Sequence, residues 1–238
     1  MNISNKVYQS SAVKSYLKKI DKHRERKPPS EWTEIGKETR MYDLLDDAPD
    51  DIKGLFQYDN YSLWSFTHLA IGNEICNELL TLPGITRNST VTDAMAGIGG
   101  NAIAFARVFK QVTAIELDPT RKIMLDHNIE LFDFNNISTN TGQYQSMMNF
   151  IRQDVIFIDP PWGIDYRDNG YVRIIIDGDV LLSLEDLINS LPVHKYCVVK
   201  LPFNYDIDFF YKHVCRTIIK KLSYPRPNTC EVLIIEGN

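Results

Sequence analysis

The sequence predicts an α/β fold: a doubly wound, mostly parallel seven-stranded sheet with a helical N-terminal extension. Three observations predict it. From residue 89 onward, short apolar runs alternate with segments of helical period. A glycine-rich turn, Gly97 to Gly100, stands between the first such run and the next helical segment. Prolines fall at element borders, with Pro119 opening a helix and Pro160-Pro161 following a strand.

The 238 residues divide into three parts, and 44% of them are hydrophobic, enough to bury one large core. Residues 1–29 form a basic arm ended by Pro28-Pro29, with eight Lys or Arg against two acids, a net charge of +6. The remaining residues carry −11. A basic arm on an acidic body suits an anionic partner such as RNA, and it also suits a solvated tail or a localisation signal. Residues 30–85 read as a helical extension or lid, in which the spacing of Leu69, Ile71, Ile75, Leu79 and Leu80 predicts a helix over Thr67–Leu80. Pro83-Gly84 closes it.

Residues 86–238 carry the alternating pattern. Strands are expected at Thr90–Ala94, Val112–Ile115, Ile137–Thr141, Val155–Ile158, Tyr196–Leu201, Ile218–Leu222 and Val232–Ile235. Helices are expected at Asn101–Phe109, with a small-residue face of Ala102, Ala104 and Ala106, and at Pro119–Phe132, Tyr144–Ile151, Leu181–Leu191 and Ile207–Cys215. No run of about 18 apolar residues predicts a membrane span. The polar first residues argue against a secretory signal. Cys76, Cys197, Cys215 and Cys230 have no metal-binding spacing and sit in apolar segments. They read as reduced core thiols of an intracellular, reducing compartment, with nucleus and cytoplasm both open and a virus factory only if the source is viral.

Three strand ends carry the chemistry. The first runs Asp93-Ala94-Met95-Ala96-Gly97-Ile98-Gly99-Gly100-Asn101. Its spacing is not that of a dinucleotide fingerprint. An acid at this strand end suits a ligand ammonium, such as the methionine part of S-adenosylmethionine; a structural turn capped by Asp93 is the alternative. The second end places Glu116 about twenty residues on, where a carboxylate accepts from both ribose hydroxyls. Asp118 before Pro119 reads as a helix N-cap. The third end is Asp159-Pro160-Pro161-Trp162-Gly163. Two prolines stiffen the chain, so the Asp159 carboxylate and the Pro160 carbonyl become fixed acceptors. Such a pair suits the two hydrogens of a ring-attached amino group and leaves its nitrogen facing a methyl donor. Trp162 is placed to stack on a purine, more strongly if that purine is cationic. The alternative is a rigid turn with a buried Trp.

Together the segments DAMAGIGGN, AIELDP and DPPWGIDY resemble the class I methyltransferases, and within them the cap guanine-N2 methyltransferases, or trimethylguanosine synthases, over roughly Leu55 to the C-terminus. The resemblance implies a Rossmann-like fold and S-adenosylmethionine as cofactor, released as S-adenosylhomocysteine, with no metal. It implies 7-methylguanosine-capped RNA, or 7-methyl-GTP or -GDP, as substrate, and a 2,7-dimethyl- or 2,2,7-trimethylguanosine product. It implies Asp159, Pro160 and Trp162 as catalytic. It assigns cofactor contacts to Ser65, Thr67, Asp93, Gly97, Asn101, Glu116, Gln143 and Asp159, with Leu55-Phe56 as a further lid piece. It assigns substrate contacts to Pro161, Trp162, Tyr166 and Asn204. Three residues depart from the family pattern: Gln143 where the family has Asp, Asp159 where it often has Ser, and Phe203 where it has a phosphate-binding Arg. The last implies that another basic residue, such as Lys200, Arg226 or one of the arm, holds the triphosphate. An Asp before Pro-Pro also occurs in enzymes acting on guanine N2 or adenine N6 within RNA or DNA.

Overall fold

The computed structural model describes residues 40–163, 172–176, 181–224 and 230–238. The basic arm, Tyr166 and Arg226 lie outside the described residues.

Helices α1 (Arg40–Leu44), α2 (Asp50–Leu55), α3 (Ser62–Ser65) and α4 (Leu69–Leu80) precede the sheet. Seven strands form that sheet: β1 (Thr90–Asp93), β2 (Gln111–Glu116), β3 (Ile137–Thr141), β4 (Val155–Ile158), β7 (Tyr196–Pro202), β8 (Ile218–Tyr224) and β9 (Cys230–Glu236). Two short strands, β5 (Ile175–Ile176) and β6 (Leu182–Ser183), pair antiparallel outside it. Helices α5 (Gly100–Ala106), α6 (Pro119–Leu131), α7 (Tyr144–Met147), α8 (Leu184–Asn189) and α9 (Ile207–His213) link the strands.

The sheet order is β3-β2-β1-β4-β7-β9-β8. Strands β3, β2, β1, β4 and β7 run parallel, and β9 is antiparallel to both β7 and β8. This is the predicted doubly wound, mostly parallel sheet. Its seven strands fall where the apolar runs predict them. The β5–β6 pair was not expected, and Leu182–Ser183, read as the start of a helix over Leu181–Leu191, is strand instead; two-residue strands have no readable period.

Alternating residues of each central strand feed opposite layers. Val155 and Phe157 join Ile75, Leu79, Phe105 and Leu125 on one face. Ile156 and Ile158 join Leu184, Leu187, Ile188 and Phe210 on the other. All four β4 residues are fully buried, which is why the strand is continuously apolar. The small-residue face of α5 has a packing cause. A Cβ on Gly72 of α4 would lie 2.6 Å from the Ala104 Cβ, so the two helices meet where neither has a side chain of any length.

A third cluster seats the extension on the turn after β1. Met41, Leu45, Phe56, Phe66 and Leu69 pack with Ile98, Ile103 and Met124. Asn128 of α6, fully buried, clasps the same junction. Its amide nitrogen donates to the carbonyls of Gln57 (2.9 Å) and Ile98 (3.0 Å), and its oxygen accepts from the Gln57 amide (2.8 Å). Asn128→Ala is expected to cost about 2–4 kcal/mol, because it leaves buried backbone groups without partners. The midpoint of urea unfolding checks it.

Asp118 is the N-cap of α6 as predicted, accepting from the amides of Thr120 (2.8 Å) and Arg121 (3.2 Å), with Pro119 in the first turn. Several helices are shorter than their patterns suggest: α4 begins at Leu69, α5 ends at Ala106 rather than Phe109, and α8 spans only Leu184–Asn189. α7 gives way to a 3-10 turn at Met148–Phe150, and α9 ends at His213. Cys215 therefore lies beyond the helix and is exposed, which corrects its reading as a core thiol; Cys76, Cys197 and Cys230 are buried. Among the described residues no helix is long and apolar enough to cross a membrane.

Candidate active site

The three strand ends converge at the carboxyl edge of β2, β1 and β4, where open parallel sheets bind ligands. Asp93 is in register with Ala114 of β2 and Phe157 of β4. The turn after it is tied to both neighbours, with the Ala94 amide donating to the Phe157 carbonyl (2.9 Å) and the Ala96 amide to that of Ile115 (2.8 Å). Gly97 and Gly99 have φ of +55° and +106°, in the region that favours glycine. At Gly100 space is limiting. A Cβ there would lie 2.9 Å from the Phe66 ring and 3.1 Å from the Thr67 carbonyl. The chain before α4 thus rests directly on the start of α5.

Glu116 anchors the turn from the side. One carboxylate oxygen accepts from the Gly97 amide and the other from the Asp118 amide, both at 2.8 Å. Burial pushes its carboxyl above the ordinary range, and those two amides offset part of the rise. A carboxylate has about four acceptor positions, so two remain for a ligand's hydroxyls. The Gly142 amide donates to the Glu116 carbonyl (3.0 Å), which brings Gln143, half-buried at the start of α7, beside the same strand end.

Asp93 is fully buried, and neither carboxylate oxygen has a hydrogen-bond partner of full geometry. Burial first, then the nearby carboxylates Asp159 and Glu116, hold its carboxyl well above the usual range; the Met95 and Ala102 amides offset this in part. Asn101 is 5% exposed and its side-chain oxygen also lacks a partner. Orphaned buried acceptors beside a glycine turn with no room for side chains fit a cationic, hydroxyl-bearing ligand such as S-adenosylmethionine.

The third strand end is built differently from its sequence reading. The Asp159 carboxylate oxygen Oδ2 accepts from Lys200 Nζ at 2.8 Å and from Thr67 Oγ1 at 3.1 Å. Thr67 Oγ1 in turn accepts from Lys200 Nζ (2.9 Å) and from the Asn101 side-chain amide (3.1 Å). Lys200 Nζ lies 5.0 Å from the Trp162 ring centroid. Pro160 is buried, Pro161 exposed, and Trp162 half-buried against the core layer beneath.

Thr67, Asn101, Asp159 and Trp162 are thus joined through Lys200 and its partners, and Gly97 and Glu116 through their own hydrogen bond, with buried Asp93 ending the strand between them. Ser65 belongs to neither group: it is exposed and its hydroxyl donates to the Tyr61 carbonyl (3.3 Å). Asn204 follows β7, where its carbonyl accepts from the Val172 amide (2.9 Å). Lys200, suggested by the sequence only as a contact to the triphosphate, and Arg121, which the sequence did not single out, take other places in the structure. Lys200 is the buried partner of Asp159. Its signal was a lysine inside an otherwise apolar strand, which demands an anion nearby. Arg121 stacks 4.4 Å from the Tyr61 ring centroid and pairs with Asp59 (3.2 Å), holding the extension to α6. Among the described residues no group of three His, Cys, Asp or Glu side chains is arranged for a metal ion.

The fold and these strand ends define a class I S-adenosylmethionine-dependent methyltransferase. Solved structures share the architecture. A Porphyromonas gingivalis W83 protein assigned as a methyltransferase matches with a TM-score of 0.58 and 16% identity, over 84% of this chain and 54% of its own. A Pyrococcus horikoshii protein assigned as an RNA methyltransferase matches with a TM-score of 0.53 and 15% identity, over 80% and 90%. The model of the RNA cap guanine-N2 methyltransferase family matches residues 88–233, and the chain belongs to that family. The uncharacterized protein L320 of Acanthamoeba polyphaga mimivirus is 33% identical over 135 residues, 55% of this chain and 53% of its own length. The trimethylguanosine synthase of Schizosaccharomyces pombe is 33% identical over 89 residues, 31% of this chain and 33% of that protein. The chain therefore spans about half the length of the first relative and a third of the second.

Two expected results follow from the cofactor side. Glu116→Ala removes an acceptor and frees the Gly97 amide, so S-adenosylhomocysteine affinity should fall about 10- to 100-fold, measured by calorimetry. Asp93 holds a proton over an interval above the ordinary carboxylate range, and an adjacent ligand ammonium favours its ionised form. Binding should therefore release a proton, and affinity should rise with pH across that interval. Calorimetry in two buffers of different ionisation enthalpy detects the proton.

Proposed function

We propose that this protein methylates N2 of a 7-methylguanosine cap, giving 2,7-dimethylguanosine and, on a second turnover, the 2,2,7-trimethyl form. Membership of the family supports this reading. The observation that carries it is the Asp159-Pro160-Pro161-Trp162 segment at the end of β4, with an indole and a held carboxylate within one turn of chain.

S-adenosylmethionine supplies an electrophilic methyl group on a sulfonium and leaves as S-adenosylhomocysteine. Asp93 holds the cationic end of that cofactor, Glu116 accepts from its ribose, and Gln143 accepts from its adenine amino group. Trp162 stacks on the purine. Asp159 and the Pro160 carbonyl accept the hydrogens of the N2 amino group, which turns the nitrogen toward the methyl carbon. The N–C bond forms as the C–S bond breaks, and the displaced proton passes to water. No strong base is required, because the sulfonium is already activated and alignment supplies much of the rate. Residues of the basic arm contact the RNA beyond the cap.

The second reading, guanine N2 or adenine N6 within RNA or DNA, is favoured by Asp159 standing where a Ser is more usual. Incubation with labelled methyl donor and either 7-methyl-GTP or uncapped RNA separates the two. Label in 2,7-dimethylguanosine on chromatography supports the cap reading. Label found in the uncapped RNA alone overturns it.

A further inference from the structure

We infer that Lys200 is a positioning residue for methyl transfer: it fixes the Asp159 carboxylate in one orientation and joins it to the chain that precedes α4. The inference rests on the reading of Asp159 as acceptor of the base amino group. It differs from the role the sequence suggested, a contact to the cap triphosphate.

Lys200 is 5% exposed within β7, the strand paired in parallel with β4. Its ammonium is committed to Asp159 Oδ2 and Thr67 Oγ1, at 2.8 and 2.9 Å. A cation 5% exposed and already held by two partners is poorly placed to meet a solvated triphosphate. The geometry instead restrains the carboxylate. Oδ2 takes two donors from two different elements, so rotation of the carboxylate would break both bonds at once. Oδ1 takes no part in those bonds and is the oxygen available to an amino group. Thr67 extends the network to Asn101 at the start of α5, so the acceptor is braced by the sheet, the extension and the turn after β1. The ammonium also stands 5.0 Å from the Trp162 ring, which ties the plate to the same fixed point. A short side chain in place of Asp159 would not reach a lysine on β7; an Asp brings an added degree of freedom, and Lys200 removes it.

The test compares Lys200→Met, Asp159→Asn and the double variant with the wild-type full chain, on 7-methyl-GTP and on the nucleoside 7-methylguanosine. Lys200→Met is expected to lower kcat about 100-fold on both substrates, since misplacement by about 1 Å costs that much, with KM changed less than threefold. In the Asp159→Asn background the same substitution is expected to cost less than threefold, because its effect runs through the carboxylate. A KM increase confined to 7-methyl-GTP would assign Lys200 to the phosphates and overturn the inference. So would full additivity of the two substitutions. Thermal unfolding of the same four proteins gives a readout independent of the acceptor. Lys200→Met and Asp159→Asn should each lower Tm, and the double variant should regain part of the loss, because each single substitution leaves a buried charge unpaired. Absence of any transfer to either 7-methylguanine substrate by the wild type would overturn the cap reading. The Tm cycle then decides on Lys200 alone, and no coupling there would overturn its role.

Discussion

Asp159→Ala is expected to reduce methyl transfer to 7-methyl-GTP by about 100- to 1000-fold while leaving S-adenosylhomocysteine affinity within a few-fold of wild type. On the proposed reading, the substitution removes the acceptor that turns the amino nitrogen toward the methyl carbon. It also leaves the Lys200 ammonium with Thr67 as its remaining hydrogen-bond partner among those that now hold it. On the proposed reading Asp93, Glu116 and the glycine turn hold most of the cofactor, and Glu116 bonds to the Gly97 and Asp118 amides rather than to Asp159. Single-turnover rates with labelled donor, alongside calorimetry, check both halves. Transfer at the wild-type rate would show that the amino group is oriented by something else.

Trp162→Ala should lower kcat/KM for 7-methyl-GTP about 10- to 100-fold, the range for losing one base–aromatic stack. The loss should be smaller for GTP. A ring carrying the 7-methyl positive charge gains cation–π attraction to the indole that neutral guanine does not. The wild type should accordingly prefer 7-methyl-GTP, and the substitution should narrow that preference. Competition kinetics with the two nucleotides measures it, and equal rates for the wild type would remove charge recognition at Trp162 from the account.

Much of this fold was legible because buried parallel strands have a strong signature. Val155–Ile158 is apolar on both faces, and its shortness and the prolines that follow make it read as a buried strand. Asp93, Glu116 and Asp159 were legible as candidates for a related reason: an acid ending an apolar strand is unusual unless a ligand edge requires it. What the sequence hid were pairings across long separations. Thr67 meets Asp159 across 92 positions, and Lys200 meets Thr67 across 133. Periodicity speaks only of neighbours along the chain, so it can mark Lys200 as out of place but cannot name its partner. Ser65 and Thr67 illustrate the same limit at short range. Both were read as polar contacts, yet the end of α3 turns one outward and the other into the core-facing network. The β5–β6 pair and the early end of α9 were invisible because two to seven residues carry too little pattern.

The packing of Gly72 on Ala104 has a further consequence. Helices α4 and α5 touch through a hydrogen on one side and a methyl on the other, so no adjustable side chain lies between them. Any methyl added at position 72 has to be matched by a deletion at 104, which makes the two sites a compensating pair. Substitutions at the two positions are therefore expected to offset one another when their combined volume is kept.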